Sequence, residues 1–480
     1  MNGQIRRVAL VMMVVFAALL VNLNILQLVR GPDLVDNPAN RRVLVAQYGI
    51  ERGPMLVDDA EVARSVETDD DLEYQREYPE PELYAHVTGY DSFVQGRTGL
   101  EETYNDALMG APSEMLAQNL TELLIGRDAR GNTLRLTVDP RVQEAARTAL
   151  ADRTGAVVAI EPGTGRVLAA YANPTYDPNR LSSHDGGAVQ DAWEELRLDP
   201  DLPLLDRSTR VLYPPGSVFK IVVAAAALEQ GLQPETAFDN IESYTPPGTE
   251  RAITNSGGGT CTDDETITLA RALAVSCNTV FAKLAVDLGD DVVIDTAQRL
   301  GFNRAIPYDL PVASSAIPTE MADPALAQSA IGQRDVRMTA FHAAMTAATI
   351  ANAGRAQRPF VVADVRSPSG RLVQGPADGV WREAGFSEQA ISARTASQLR
   401  DMMIGVVDQG TGGPAQIGGS EVGGKTGTAD DPNLEGSIAW FAGFAGNDIA
   451  VAVVLPDVEG GGGSLAAPVA REVMLAWLEQ

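Results

Sequence analysis

Tyr213-Pro214-Pro215-Gly216-Ser217-Val218-Phe219-Lys220 runs directly into IVVAAAALEQG, which ends at Gly231. Prolines do not lie inside a helix, whereas VFKIVVAAAALEQ is made of strong helix formers and stops at a glycine. The reading is a helix with Ser217 in its first turn and Lys220, at i+3, on the same face one turn above the hydroxyl. A serine hydroxyl is a poor nucleophile until a neighbouring base takes its proton. Lysine can be that base if burial or a second cation lowers its pKa; arginine, which stays protonated, cannot. The helix start also offers a backbone N–H and partial positive charge, both suited to a developing oxyanion.

Lysine usage makes this stretch stand out further. Lys and Arg together number 37, yet only Lys220, Lys283 and Lys425 are lysines. In such a background a lysine is a candidate for a position that needs a compact ammonium able to lose its proton, the plainer alternative being chance. Lys425 opens Lys425-Thr426-Gly427-Thr428, after a glycine-rich segment that reads as a loop. The four residues begin a strand whose edge can bind an extended peptide by strand addition. The Thr426 and Thr428 hydroxyls with the Lys425 ammonium suit a substrate carboxylate, and Gly427 allows close backbone approach. Between the two motifs, Ser276-Cys277-Asn278 precedes the helical TVFAKLAVDLG. Its serine can relay a proton to a leaving amine and its amide can hold a substrate backbone, although Ser-x-Asn is also a common helix cap.

Composition removes several other classes. A formal charge of −27 would repel phosphate, so no nucleic-acid partner is expected. His86, His184 and His342 are far apart, lack metal-ligand spacing and accompany no G-x-S-x-G elbow, so they read as surface or packing residues. No metal or cofactor is expected. Cys261 and Cys277 read either as a disulfide, if the domain lies outside the cytoplasm, or as two buried thiols.

Val8 to Val29 carries no charge and, at about 1.5 Å per helical residue, can cross a hydrocarbon core. Arg6 and Arg7 before it favour an inside amino terminus, and no small-x-small cleavage site follows. The expected organisation is a short tail and transmembrane anchor over 1–30, a small α+β pedestal over 31–150, and a catalytic domain over 151–480. In the pedestal, Leu134 to Val138 reads as a strand running into a helix capped by Asp139 with Pro140 at its first position. Ala156–Ile160 and Val167–Tyr171 form a hairpin around Glu161-Pro162-Gly163-Thr164-Gly165. Two more strands, IAWFAGFAG and DIAVAVVLP, meet at Gly446-Asn447, and APVAREVMLAWLEQ is periodic like a helix. Strands at both ends of a domain with helices between them predict an α+β fold, an antiparallel sheet closed by non-local pairing and flanked by helices. The glycine runs Ser256–Gly259 and Gly460–Gly463 read as loops.

In order, S-x-x-K, S-x-N and K-T-G resemble the signature of penicillin-binding proteins and class A β-lactamases. The anchor, TVDPRVQ, NPTYDP, YPPGSVFK, SCNTVF, SAIGQRDVRMT with ATIANAG, GGKTGTA with AWFAGF, and TGLEETYNDALMG resemble, more narrowly, class B penicillin-binding proteins of the actinobacterial septal type. Arg52-Gly53-Pro54-Met55 approximates that family's R-G-x-I motif.

The resemblance implies a peptidoglycan D,D-transpeptidase with Ser217 as acylated nucleophile and Lys220 as its base. It makes Ser276 and Asn278 the second motif, Lys425–Thr428 the third, and the Ser217 and Thr428 N–H groups the oxyanion hole. Implied partners are peptidoglycan stem peptides, lipid-linked glycan strands, β-lactam antibiotics, the membrane, a membrane glycosyltransferase and divisome proteins. A D,D-carboxypeptidase or β-lactamase would use the same motifs with water as acceptor, and a β-lactam-sensing or divisome scaffold would need no turnover. The anchor and pedestal favour the transpeptidase.

Overall fold

The computed structural model describes residues 2–25, 48–110, 130–375 and 389–479. Helix α1 (Asn2–Asn24) holds a stretch, Gly3–Asn24, long and apolar enough to cross a membrane. The helix starts earlier than the uncharged run and includes Arg6 and Arg7 in its first turns; residues 26–29 of the expected span lie outside the described residues.

Strands β1 (Met55–Val57), β2 (Ala60–Glu67) and β3 (Tyr74–Glu77) form an antiparallel run, and β4 (Thr133–Leu136) joins β1 in parallel with Met55 opposite Leu134. Beneath them, Glu101 is wholly buried and accepts from Arg52 Nε at 2.5 Å, Arg76 Nε at 2.6 Å and the Tyr78 hydroxyl at 3.2 Å. Burial alone would raise the Glu101 carboxyl, but Arg76 and Arg52 outweigh it and hold it below the usual carboxylate range. Arg52 of the approximate R-G-x-I motif thus anchors a buried ion cluster with the first glutamate of TGLEETYN.

After β4, helix α2 (Pro140–Leu150) begins as expected: the Asp139 carboxylate accepts from Arg141 N and Val142 N, and Pro140 takes a position whose N–H would have no helical partner. Strands β5 (Gly155–Ile160) and β6 (Val167–Asn173) form the hairpin. The chain then runs through helices α3 (Lys220–Glu229), α4 (Leu269–Ala274), α5 (Asn278–Leu288) and α6 (Ala340–Ala351), strands β7 (Val362–Arg366) and β8 (Leu372–Gln374), and helix α7 (Ala393–Gln409). It ends with β9 (Val422–Asp430), β10 (Ser437–Ala445), β11 (Ile449–Val458) and helix α8 (Ala466–Leu478).

The large sheet has the order β9-β10-β11-β5-β6, all antiparallel. Its closure is the expected non-local one, with Val453 of β11 opposite Val157 of β5. Alternate side chains leave a strand on opposite faces. Val157 and Ala159 pack with Val142 and Ala146 of α2 and Val469 and Val473 of α8, while Ala156, Val158 and Ile160 join the core containing Phe341 and Ala344 of α6. Helices therefore cover both faces, which is why the strands read as near-continuous apolar runs. Every residue of α6 is buried.

The second sheet has the order β8-β7-β4-β1-β2-β3. Its strands β7 and β8 come from residues 362–374, more than two hundred positions after β4. Nothing in sequence order anticipates that exchange.

Candidate active site

The segment before Ser217 is held from three sides. Tyr213 and Met338 exchange backbone hydrogen bonds of 3.0 and 2.8 Å, Trp440 Nε1 donates to Pro214 O at 3.0 Å, and Gly216 N donates to Gly332 O at 2.9 Å. Gly216 has φ +53, and a Cβ there would stand 2.4 Å from the Thr428 carbonyl oxygen, so only glycine fits against the strand edge. Residues Gly216–Phe219 form a 3₁₀ turn, and the α-helix starts at Lys220, slightly later than expected. At three residues per turn, positions i and i+3 eclipse, which places Lys220 directly over Ser217.

The Lys220 side chain is fully buried, and its Nζ lies 2.6 Å from Ser276 O, 2.7 Å from Asn278 Oδ1 and 3.2 Å from Ser276 Oγ. All three contacts belong to the second motif. That motif is a kink between α4 and α5: Ser276 has φ +61, Cys277 caps α5, and Asn278 Nδ2 donates to Thr254 O at 2.9 Å. Cys277 is joined to Cys261 in a disulfide, the first of the two readings left open by the sequence.

Strand β9 starts at Val422, three residues before the motif, and among the described residues only β10 pairs with it, leaving its other edge without a strand. Lys425, also fully buried, directs Nζ to Ser276 Oγ at 3.0 Å and Thr426 O at 2.8 Å. Thr426 and Thr428 alternate to the other face. Thr426 Oγ1 meets Thr411 Oγ1 at 2.6 Å, and Thr428 Oγ1 accepts from Gly462 N at 3.4 Å. In an extended strand the N–H and C=O of one residue leave on the same side. Because the Thr428 C=O faces Gly216, its N–H also faces the Ser217 turn. All eight expected site residues thus lie on three segments that converge on one place.

Burial pushes the Lys220 ammonium well below its usual range, and the charge of Lys425 adds to this; burial lowers Lys425 to about 7. The hydrogen bonds fit one ammonium better than two. Ser276 O and Asn278 Oδ1 only accept, so a neutral Lys220 donates to both and turns its lone pair to the Ser276 hydroxyl. That hydroxyl then donates to Lys220 and accepts from protonated Lys425. The result is a directed chain: Lys425, Ser276, Lys220.

Some neighbours were not legible. Thr411 carries no motif, and the Gly460–Gly463 run, read only as a loop, packs onto β9 and β10. A Cβ on Gly462 would stand 2.0 Å from Trp440 O and 2.5 Å from Gly427 O. Four consecutive glycines were the available signal. The histidines pack elsewhere: His342 Nε2 donates to Leu300 O (2.8 Å), His86 lies 3.0 Å from Pro203 O, and His184 lies 2.7 Å from Asp70. Lys283 is an exposed partner of Asp287.

Residues 155–475 match the family described as penicillin binding protein transpeptidase domain, and residues 52–134 match the penicillin binding protein A dimerisation domain. The chain belongs to the penicillin-binding protein transpeptidase family. Peptidoglycan D,D-transpeptidase PbpA of Mycolicibacterium smegmatis is 38% identical over the whole of both chains. PbpA of Mycobacterium tuberculosis is 34% identical over 100% of this chain and 99% of its own length. Among solved structures, the ceftriaxone acyl-enzyme complex of M. tuberculosis penicillin-binding protein A superposes with a TM-score of 0.86 at 34% identity, covering 90% of this chain and 100% of that one. The imipenem acyl-enzyme complex gives 0.85 with the same coverage. The α+β fold expected for a penicillin-binding protein is therefore the one observed.

Proposed function

We propose that this chain is a peptidoglycan D,D-transpeptidase with Ser217 as its nucleophile. The observation that carries this reading is the single Ser276 hydroxyl set between two buried lysines, beside the Ser217 turn and the free edge of β9. The stem peptide adds to that edge, with its terminal carboxylate on the Thr426 and Thr428 hydroxyls and its backbone on the Asn278 amide. Lys425 supplies positive charge nearby, and Gly427 keeps the edge clear.

Neutral Lys220 turns its lone pair from the Ser276 hydroxyl to Ser217 and takes its proton as Oγ attacks the penultimate D-alanine carbonyl, and the N–H groups of Ser217 and Thr428 receive the oxyanion. The C–N bond breaks, and the proton returns through Ser276 to the departing D-alanine amine. A stem amine from a neighbouring strand then attacks the ester, gives up its proton along the same route, and leaves Ser217 free. A β-lactam enters as the donor does, but its leaving nitrogen stays tethered and the ester persists. The acyl-enzyme complexes of the M. tuberculosis relative favour this assignment.

Helix α1 sits in the membrane with Arg6 and Arg7 on the cytoplasmic side, as a single pass. The body is extracytoplasmic, an orientation supported by the Cys261–Cys277 disulfide. Functional units are the anchor over 1–30, the non-catalytic pedestal over 31–150 and the catalytic domain over 151–480. A membrane glycosyltransferase supplies nascent glycan strands, and divisome proteins place the enzyme at the septum.

Fluorescent penicillin labelling of the full-length chain tests the nucleophile: the ester forms on wild type and is lost in Ser217→Ala. Donor stem supplied with and without an acceptor amine separates transfer from hydrolysis. Tetrapeptide release that is unchanged by the amine would assign a carboxypeptidase instead.

A further inference from the structure

The third motif is supported from behind by a residue outside all three motifs. Thr411 follows helix α7, and its N–H donates to Ala274 O at 3.1 Å, two residues before Ser276. Its hydroxyl lies 2.6 Å from the Thr426 hydroxyl. Among the described residues, neither hydroxyl has another hydrogen-bond partner. Thr411 is exposed, whereas Thr426 is buried, at 6% exposure.

We propose that Thr411 is a positioning residue that sets the direction of the Thr426 proton. This inference rests on the assignment of Thr426 to the substrate carboxylate. A hydroxyl has one proton and two lone pairs, whereas a carboxylate only accepts. If Thr426 donates to Thr411, it presents lone pairs to the incoming anion. If Thr411 donates to Thr426, the Thr426 proton is left for the carboxylate and its O–H is polarised by the bond it receives. Only the second arrangement serves binding, and the Thr411 backbone, tied to the end of α4, holds it ready before substrate arrives. The same tie links the carboxylate site to the Ser276 kink, so the second and third motifs are aligned through one loop.

The test is a double-mutant cycle on the full-length chain in detergent, reading the second-order rate of acylation by benzylpenicillin. Thr411→Val keeps the shape of the side chain and removes its hydroxyl. It is expected to slow acylation roughly five- to tenfold, the worth of one neutral hydrogen bond. Thr411→Ala should match it, and Thr411→Ser should restore the wild-type rate. In a Thr426→Val background, Thr411→Val should cost nothing further, because the group it orients is gone. Losses that multiply in the double variant, or a Thr411→Val rate equal to wild type, would overturn the inference. A general loss of folding is excluded by thermal melts and by recovery in Thr411→Ser. Labelling that survives in Ser217→Ala would reject the site assignment itself, a result separate from either outcome of the cycle.

Discussion

Lys220 and Lys425 share one hydroxyl: Ser276 Oγ lies 3.2 Å from the first ammonium nitrogen and 3.0 Å from the second. Burial depresses Lys220, and the positive charge of Lys425 depresses it further by disfavouring a second proton nearby. Removing that charge must therefore raise the Lys220 pKa. In Lys425→Gln, the acid limb of the acylation pH profile is expected to move to higher pH, with the plateau rate down by roughly a hundredfold. An acid limb that stays in place would mean the two groups do not interact.

The same pair makes stability depend on pH. Lys425 titrates near 7 when folded and near 10.5 when unfolded, so between these values the unfolded chain binds the extra proton. Stability contributed by this site rises with pH across that window and is lost as pH falls through about 7. Melting temperatures measured from pH 6 to 9 should show a weaker rise in Lys425→Met than in wild type.

Ser276→Ala breaks the chain of hydrogen bonds between the lysines while leaving each with a carbonyl acceptor. Acylation by penicillin should fall by roughly a hundredfold, the usual scale of a lost proton relay. Stopped-flow quenching of intrinsic fluorescence during acylation measures it, and a loss below threefold would remove Ser276 from the relay.

Glu101 accepts from two buried arginines, Arg52 and Arg76, outside the three motifs around Ser217. Glu101→Ala leaves Arg76 without its carboxylate and Arg52 with only Asp91 at 3.9 Å, for an expected loss of about 3–5 kcal/mol in chemical denaturation. Penicillin labelling of the fraction that remains folded should persist, because among the described residues none of the three motifs around Ser217 touches this cluster.

The Cys261–Cys277 bond closes a loop next to Ser276 and Asn278. Replacing both cysteines by serine should lower stability by roughly 3 kcal/mol and slow acylation, since the kink that holds the relay is released. Equal acylation rates with and without reductant would show that the kink holds without the disulfide.

Much of this site was legible because its chemistry forces rare residue choices. Two of three lysines in an arginine-rich chain mark Lys220 and Lys425, and proline before an alanine-rich run fixes where the Ser217 turn begins. Strands β10 and β11 were legible from their apolar runs, which a sheet covered on both faces requires. Thr411 was not, because one threonine in a loop has no period and its partner is fifteen positions away. The 3₁₀ turn at Ser217 was hidden for another reason: the propensities that start an α-helix do not separate it from a tighter first turn. Nor could pattern alone place β7 and β8, short strands whose partner β4 is remote along the chain.

That remote pairing governs how the polypeptide matures. As the chain emerges, β4 has one neighbour and an open flank until residue 366 has followed it, and open flanks invite pairing with other chains. A fragment ending near residue 150 would keep that flank permanently, and one starting near 151 would carry two strands with no sheet to join. Pedestal and enzyme are therefore expected to be made and degraded together, and neither should survive long when expressed without the other.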